Sequence, residues 1–186
     1  MFKRVFKFFG EVIKIIVISL LIVLPIRHFL VQPFFVRGSS MEPTFSSQEY
    51  LLVDEISYRF RSPQRGEVVI FHFPRDPKQY YIKRIIGLPG EKIVISDGKV
   101  TVYSKDFPKG KTLDESDYLP PGHLTPGTFE TILEQGQYFV SGDNRQASFD
   151  SRRWGALDRE YIVGRVWLRI WPFNKVEAFT SPQYSF

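Results

Sequence analysis

Lys92-Ile93-Val94-Ile95-Ser96-Asp97-Gly98-Lys99-Val100-Thr101-Val102-Tyr103 is the stretch that decides the fold class. Two runs rich in β-branched residues flank Asp97-Gly98, a dipeptide that tolerates the positive φ angles of a two-residue hairpin turn. The same signature recurs on both sides. Tyr50–Val53, Glu67–Phe73, Tyr80–Ile86, Gln137–Val140 and Tyr161–Trp171 are further strand candidates. Gln64-Arg65-Gly66, Phe73-Pro74-Arg75-Asp76-Pro77 and Gly87-Leu88-Pro89-Gly90 punctuate them. No long helical period occurs after residue 34, so residues 34–186 are expected to form a mainly β domain built on an antiparallel sheet. The Pro-, Gly- and Asp-rich stretch 104–136 reads as a small cap-like excursion from that sheet.

Residues 1–33 follow a different pattern. Ile15 to Ile26 is a run of twelve residues without charge, short of the ~20 apolar residues that span a bilayer. It reaches about that length if Lys14 snorkels and Val12, Ile13 and Phe29-Leu30-Val31 join it. A basic segment before a short apolar run is also the mark of a cleavable leader. The following Arg27-His28-Phe29-Leu30-Val31-Gln32-Pro33-Phe34-Phe35 offers no small-x-small cleavage site, which favours one retained N-terminal transmembrane helix. Lys3, Arg4, Lys7 and Lys14 precede the run, whereas Arg27 and Arg37 follow it. That asymmetry places the N-terminus in the cytoplasm and the β domain on the exported side of the membrane.

Charge and composition exclude several functions. Most of the net charge of +5 belongs to the first 32 residues, where five basic side chains face Glu11 alone. The excess suits membrane lipid headgroups, and the nearly neutral remainder argues against nucleic acid as a partner. There is no cysteine, and His28, His72 and His123 have no metal-ligand spacing, so no metal and no cofactor are expected.

Two short strings carry chemistry. Gly38-Ser39-Ser40-Met41-Glu42-Pro43-Thr44 puts a hydroxyl on a tight turn, and Tyr81-Ile82-Lys83-Arg84 puts a lysine in an apolar strand. Taken singly, each has an ordinary explanation: a solvated turn serine and a snorkelling strand lysine. Taken together, they offer a nucleophile and a base without histidine, because burial lowers a lysine pKa and only the neutral amine can accept a serine proton. A third string, Ser141 to Gly155, reads as a polar loop. Asp143, Arg145, Asp150 and Arg152 have the charges for bidentate pairs that stiffen it, and Ser148 is a candidate hydrogen-bond partner for the lysine.

In this order after an N-terminal anchor, the strings resemble the bacterial type I signal peptidases, or leader peptidases. The resemblance runs from Gln32 to Trp171. It includes Gln32-Pro33-Phe34, Ser40-Met41-x-Pro43-Thr44, Arg65-Gly66-Glu67-Val68-Val69, Tyr81 to Glu91, Gly142-Asp143-Asn144-Arg145, Ser148, Asp150-Ser151-Arg152 and Trp154-Gly155. It implies a membrane-bound serine endopeptidase of the bacterial cytoplasmic membrane that removes signal peptides from exported preproteins at small-x-small sites. Ser40 would be the nucleophile, Lys83 the general base and Ser148 the support of the lysine. Val36, Met41, Phe45, Tyr81 and Ile82 would line the substrate pockets.

The chain departs from the family pattern in three places. Gly38 stands where some members carry a serine that helps stabilise the oxyanion, and Gln146-Ala147 interrupts the string after Arg145. The spacing between Gly90 and Gly142 leaves room only for a small cap. Alternative readings are a processing peptidase dedicated to one substrate class, such as a pilin or conjugation factor, and a non-enzymatic membrane-anchored β adaptor. The oligomeric state is not encoded in these patterns.

Overall fold

The computed structural model describes residues 2–29, 31–180 and Tyr184, with side chains described over Lys7–Leu21 and from Gln32 onward. Helix α1 (Phe2–Phe29) leads into β1 (Val31–Phe35) and β2 (Tyr50–Asp54), and the four-residue helix α2 (Ser57–Phe60) precedes β3 (Val68–Phe73) and β4 (Asp76–Gly87). Next come β5 (Lys92–Ser96), β6 (Lys99–Tyr103), β7 (Lys111–Thr112), β8 (Phe129–Ile132) and β9 (Gln137–Ser141). Helix α3 (Ser151–Trp154), β10 (Leu157–Asp158), β11 (Ile162–Trp171) and β12 (Glu177–Ala178) complete the order. The larger sheet runs β1-β2-β11-β3-β4-β9-β10 with β12 added to β11, and the smaller runs β7-β6-β5-β8. Every strand pairing among the described residues is antiparallel.

The deciding hairpin forms as read. Ser96 pairs with Lys99, and Asp97 (φ 51°) and Gly98 (φ 75°) supply the two positive φ angles of the turn. Its alternation turns Ile93, Ile95, Val100 and Val102 inward, where they pack with Ile86, Leu133 and Phe139. Each such side chain contributes about 1.5–3 kcal/mol on full burial. Two other clusters fill the larger sheet: Met41, Phe45, Leu51, Val53 and Val166 on one side, and Val69, Phe71, Ile85, Val140 and Leu157 on the other.

Two features differ from the sequence reading. Val31–Phe35 is a strand, so the expected boundary between residues 33 and 34 falls inside it. Pro33 is tolerated because β1 pairs with β2 alone and needs no second ladder. The excursion is also more ordered than its composition suggests. Both β7 and β8 lie within 104–136 and join the hairpin, so the second sheet starts at Lys92 rather than at Ser104. Both strands are very short, and β8 faces one sheet neighbour with Ile132 left exposed, which gives no clear alternation to read.

Among the described residues no helix is long and apolar enough to cross a membrane. Within α1, Phe8, Phe9, Ile13, Leu20, Leu21 and the consecutive residues Ile15 to Ile18 are all exposed. Successive helical residues turn by about 100°, so Ile15 to Ile18 present apolar surface on every side.

Candidate active site

The turn between β1 and β2 carries Ser40. Gly38 reverses the chain with φ 91°, a value open to glycine, and the amide of Phe45 closes the turn on the Met41 carbonyl at 2.9 Å. Met41 and Phe45 point into the core, leaving the Ser40 hydroxyl at the surface of the cleft. Opposite stands β4. Its C-terminal half is flanked by β3 and β9, but pairing with β9 begins only at Arg84. Tyr81, Ile82 and Lys83 therefore have a sheet neighbour, β3, on one side only.

Lys83 is 4% exposed. Its Nζ donates to Ser40 Oγ at 2.7 Å and to the Ile82 carbonyl at 2.8 Å. Burial lowers its pKa to about 8, outweighing the pull of Asp150 and Asp143 in the other direction. In the neutral form the bond to Ser40 reverses, with the hydroxyl donating to the amine lone pair. Neither of the histidines whose side chains are described, His72 and His123, lines this cleft.

The loop after β9 holds the turn from behind. The Asn144 amide donates to the Ser40 carbonyl and its side chain to the Ser39 carbonyl, both at 3.1 Å, and Thr44 Oγ1 donates to Asp143 at 2.6 Å. Arg84 grips Asp143 with Nε and Nη2 at 2.8 and 2.7 Å and donates Nη1 to the Gly66 carbonyl. Arg152 holds Asp150 the same way, at 2.8 Å for both bonds. Burial pushes the Asp150 carboxyl up, yet Arg152, the nearby Ser148 hydroxyl and the Gly142 amide together keep it below the usual carboxylate range.

The four charged residues expected to stiffen this loop are thus all paired, with Asp143, Arg145 and Asp150 buried and Arg152 half-buried, but two find partners outside it. Asp143 pairs with Arg84 of β4, and Arg145 pairs with Glu115 of the excursion. The Ser148 hydroxyl does not bond Lys83. It lies buried against Gly142 near Asp150 without a hydrogen bond of ordinary geometry, and the Ile82 carbonyl takes the place expected for it at the amine.

The cleft beside Ser40 and Lys83 has a volume of about 480 Å³ and opens to solvent. Val36, Tyr81 and Ile82 line it, as expected, together with Phe34, Leu51, Ile70 and Phe149. Met41 and Phe45 do not. They lie behind the wall at 1% and 0% exposure, because the tight turn that presents Ser40 directs them to the opposite face.

A serine hydroxyl on a buried lysine beside an open cleft can supply a nucleophile and a base, and comparison with known proteins names the family. The family model described as "Signal peptidase, peptidase S26" matches residues 9–171. The chain belongs to the signal peptidases of the S26 family.

The peptidase is 39% identical over 92% of its length to a protein named probable signal peptidase I-2 from Synechocystis, covering 77% of that protein. It is 34% identical to signal peptidase I of Leptolyngbya laminosa, over 92% of this chain and 84% of the relative. For signal peptidase IB of Staphylococcus aureus the figures are 33%, 90% and 92%. A crystal structure of a signal peptidase I from Enterococcus faecalis superposes with a TM-score of 0.46 at 28% identity, covering 57% of this chain and 97% of that one. The signal peptidase is accordingly a serine endopeptidase that removes signal peptides.

Sequence reasoning about the peptidase passed over Arg84 as an active-site support. Its signal was available: consecutive Lys83-Arg84 in an apolar run cannot both be sent to solvent by strand alternation. Glu115 carried no such signal, since an acidic residue in a polar stretch has the same appearance whether solvated or paired.

Proposed function

We propose that this signal peptidase cleaves by a Ser40/Lys83 dyad, anchored in the bacterial cytoplasmic membrane by α1 (Phe2–Phe29), with the β domain from Val31 onward as the exported catalytic domain. The observation that carries the dyad is the 2.7 Å contact between Ser40 Oγ and the amine of a 4% exposed lysine at the mouth of an apolar cleft. The exported preprotein lies extended along the free side of β4 at Tyr81–Lys83, adding a strand to the sheet. Small side chains at the first and third positions before the cut drop between Val36, Tyr81 and Ile82.

Neutral Lys83 takes the Ser40 proton as Oγ attacks the scissile carbonyl. The resulting tetrahedral intermediate collapses as the protonated lysine gives that proton to the leaving amine, and an ester links the signal peptide to Ser40. Water, deprotonated by the same amine, hydrolyses the ester and returns Ser40 to its starting form. In the resting structure the Ser148 hydroxyl lies near Asp150 and does not bond Lys83, and in this reading it turns to the amine during the reaction. The pairs made by Asp143, Arg145, Asp150 and Arg152 hold the loop and do not touch substrate. Support for the anchor comes from the apolar surface that α1 exposes all round, preceded by Lys3, Arg4 and Lys7.

The test is cleavage of a vesicle-reconstituted preprotein with an Ala-x-Ala site by wild type, Ser40→Ala and Lys83→Ala. Loss in both folded variants is the expected result. Activity retained by either overturns the dyad.

A further inference from the structure

Two arginines hold the Gly142–Asn144 backbone that in turn holds Ser40. Arg84 binds the Asp143 carboxylate, and Arg145 donates Nε to the Gly142 carbonyl at 3.0 Å. Both are more than nine-tenths buried, so each needs a counter-charge or a polarisable face close by. For Arg84 one such group is the ring of Tyr118, 3.9 Å from the guanidinium carbon. For Arg145 it is Glu115, which accepts both Nη1 (2.9 Å) and Nη2, while Thr125 Oγ1 accepts a second bond from Nη1 at 2.6 Å. The Tyr118 hydroxyl donates to Glu115 and meets the hydroxyl of Tyr184 at 3.0 Å. Burial, Tyr184 and Glu115 push the Tyr118 phenol well above its ordinary value, so it stays a donor throughout the working pH range.

Glu115, Tyr118 and Thr125 all come from the stretch between β7 and β8. This segment contributes no residue to the cleft, yet it closes on both arginines at once. Resting on the dyad reading above, we propose that Glu115 is a positioning residue for the nucleophile, acting through Arg145 and, by way of Tyr118, through Arg84. The excursion is then part of the catalytic apparatus rather than a separable cap. Loosening Glu115 lets the Gly142–Asn144 backbone drift, and with it the Ser40 carbonyl that Asn144 holds. A nucleophile displaced by about 1 Å loses on the order of a hundredfold in rate. Binding of the substrate strand to β4 and to the Val36, Tyr81 and Ile82 walls does not pass through this network.

The experiment uses the full-length protein in vesicles and a preprotein substrate, with Ser40→Ala and Lys83→Ala alongside Glu115→Ala, Glu115→Gln and Glu115→Asp. Assays run well below the lowest melting midpoint of the set. Glu115→Ala is expected to lower kcat about tenfold or more with KM within about twofold of wild type. Glu115→Gln, which keeps the shape but loses the counter-charge and one of the two acceptor oxygens facing Arg145, is expected to fall between Glu115→Ala and wild type. An unchanged kcat in folded Glu115→Ala overturns the proposal, as does a loss confined to KM.

If Glu115→Ala does not fold, Glu115→Asp decides. Its shorter carboxylate cannot span Arg145 and Tyr118, so a wild-type kcat there overturns the proposal and a several-fold loss at unchanged KM supports it. If the dyad variants keep cleaving, the reading beneath has failed. If they are dead while Glu115→Ala turns over normally, only the positioning role has failed.

Discussion

Lys83 Nζ stands 2.7 Å from Ser40 Oγ, and none of the ion pairs among the described residues includes this lysine. Asp150 and Asp143 raise its pKa only through space, and burial prevails to bring it to about 8. The protonated amine cannot act as a base, so under the proposed dyad activity requires its loss of a proton. The expected outcome is a kcat/KM that climbs with pH below about 8 and levels off above it. A profile flat from pH 6 to 9, measured with chemistry rate-limiting, would remove Lys83 from the role of base.

The same burial carries a stability cost with a definite sign. An unfolded lysine titrates near 10.4, so between about 8 and that value the unfolded chain binds more protons than the folded one. Stability from this group therefore rises with pH across that window, and below about 8 the full cost is present. A depression of this size corresponds to on the order of 3 kcal/mol. Lys83→Met, which keeps the length and drops the charge, is expected to be inactive yet more stable than wild type at pH 7. The gap in denaturant midpoint should narrow as pH approaches 10. A gap that ignores pH would mean that some other group titrates.

How much of this was legible in the sequence differs from element to element. The β5–β6 hairpin was, because Asp97-Gly98 fixes a turn locally and β-branched alternation fixes the strands on either side. Ser40 and Lys83 were legible as candidates only in combination, and their 2.7 Å meeting depends on β4 projecting past β9 at Arg84, a register that no local pattern encodes. Met41 and Phe45 were misplaced for a related reason. Proximity in sequence to Ser40 says nothing about which side of a tight turn a side chain takes, and here both take the core side. The link between Arg145 and Glu115 spans thirty positions and two sheets, beyond the reach of any spacing rule.

Gly142 tests the backbone contact behind Ser40 directly. A Cβ there would lie 2.3 Å from the Ser40 carbonyl oxygen and 2.3 Å from Ser148 Oγ. The first is main chain and cannot rotate away, so the turn must shift. Gly142→Ala is expected to keep its far-UV circular dichroism, lose a few degrees of Tm and lose on the order of a hundredfold in kcat. Near wild-type turnover would show that the Ser40 turn tolerates displacement by this loop.

Ser148 can be separated from its surroundings by a smaller change. Its hydroxyl is buried without a hydrogen bond of ordinary geometry, so Ser148→Ala removes a polar group that contributes little to folding and is expected to leave Tm within a few degrees of wild type. If the hydroxyl turns to the amine during the reaction, kcat falls at least tenfold with KM nearly unchanged, a loss within the range expected of a group assisting proton transfer. Full activity would assign orientation of the lysine to the Ile82 carbonyl alone, which already accepts from Nζ at 2.8 Å.

The anchor can be tested without truncating the chain. Val17 and Leu20 lie on α1 with their side chains exposed, and a lysine at the centre of a spanning helix costs about 2.5–3.5 kcal/mol. Replacing both by lysine should outweigh the apolar contribution of their neighbours and release the protein from vesicles on sedimentation. The Ser40 turn, more than fifteen residues further along the chain, is untouched by the change. Cleavage of a bilayer-embedded preprotein is therefore expected to fall steeply, while kcat/KM on a short soluble peptide stays within about twofold. Continued co-sedimentation with vesicles would mean that α1 is not what holds the enzyme to the membrane, and attention would pass to the exposed Trp167, Trp171 and Phe173 near the end of β11.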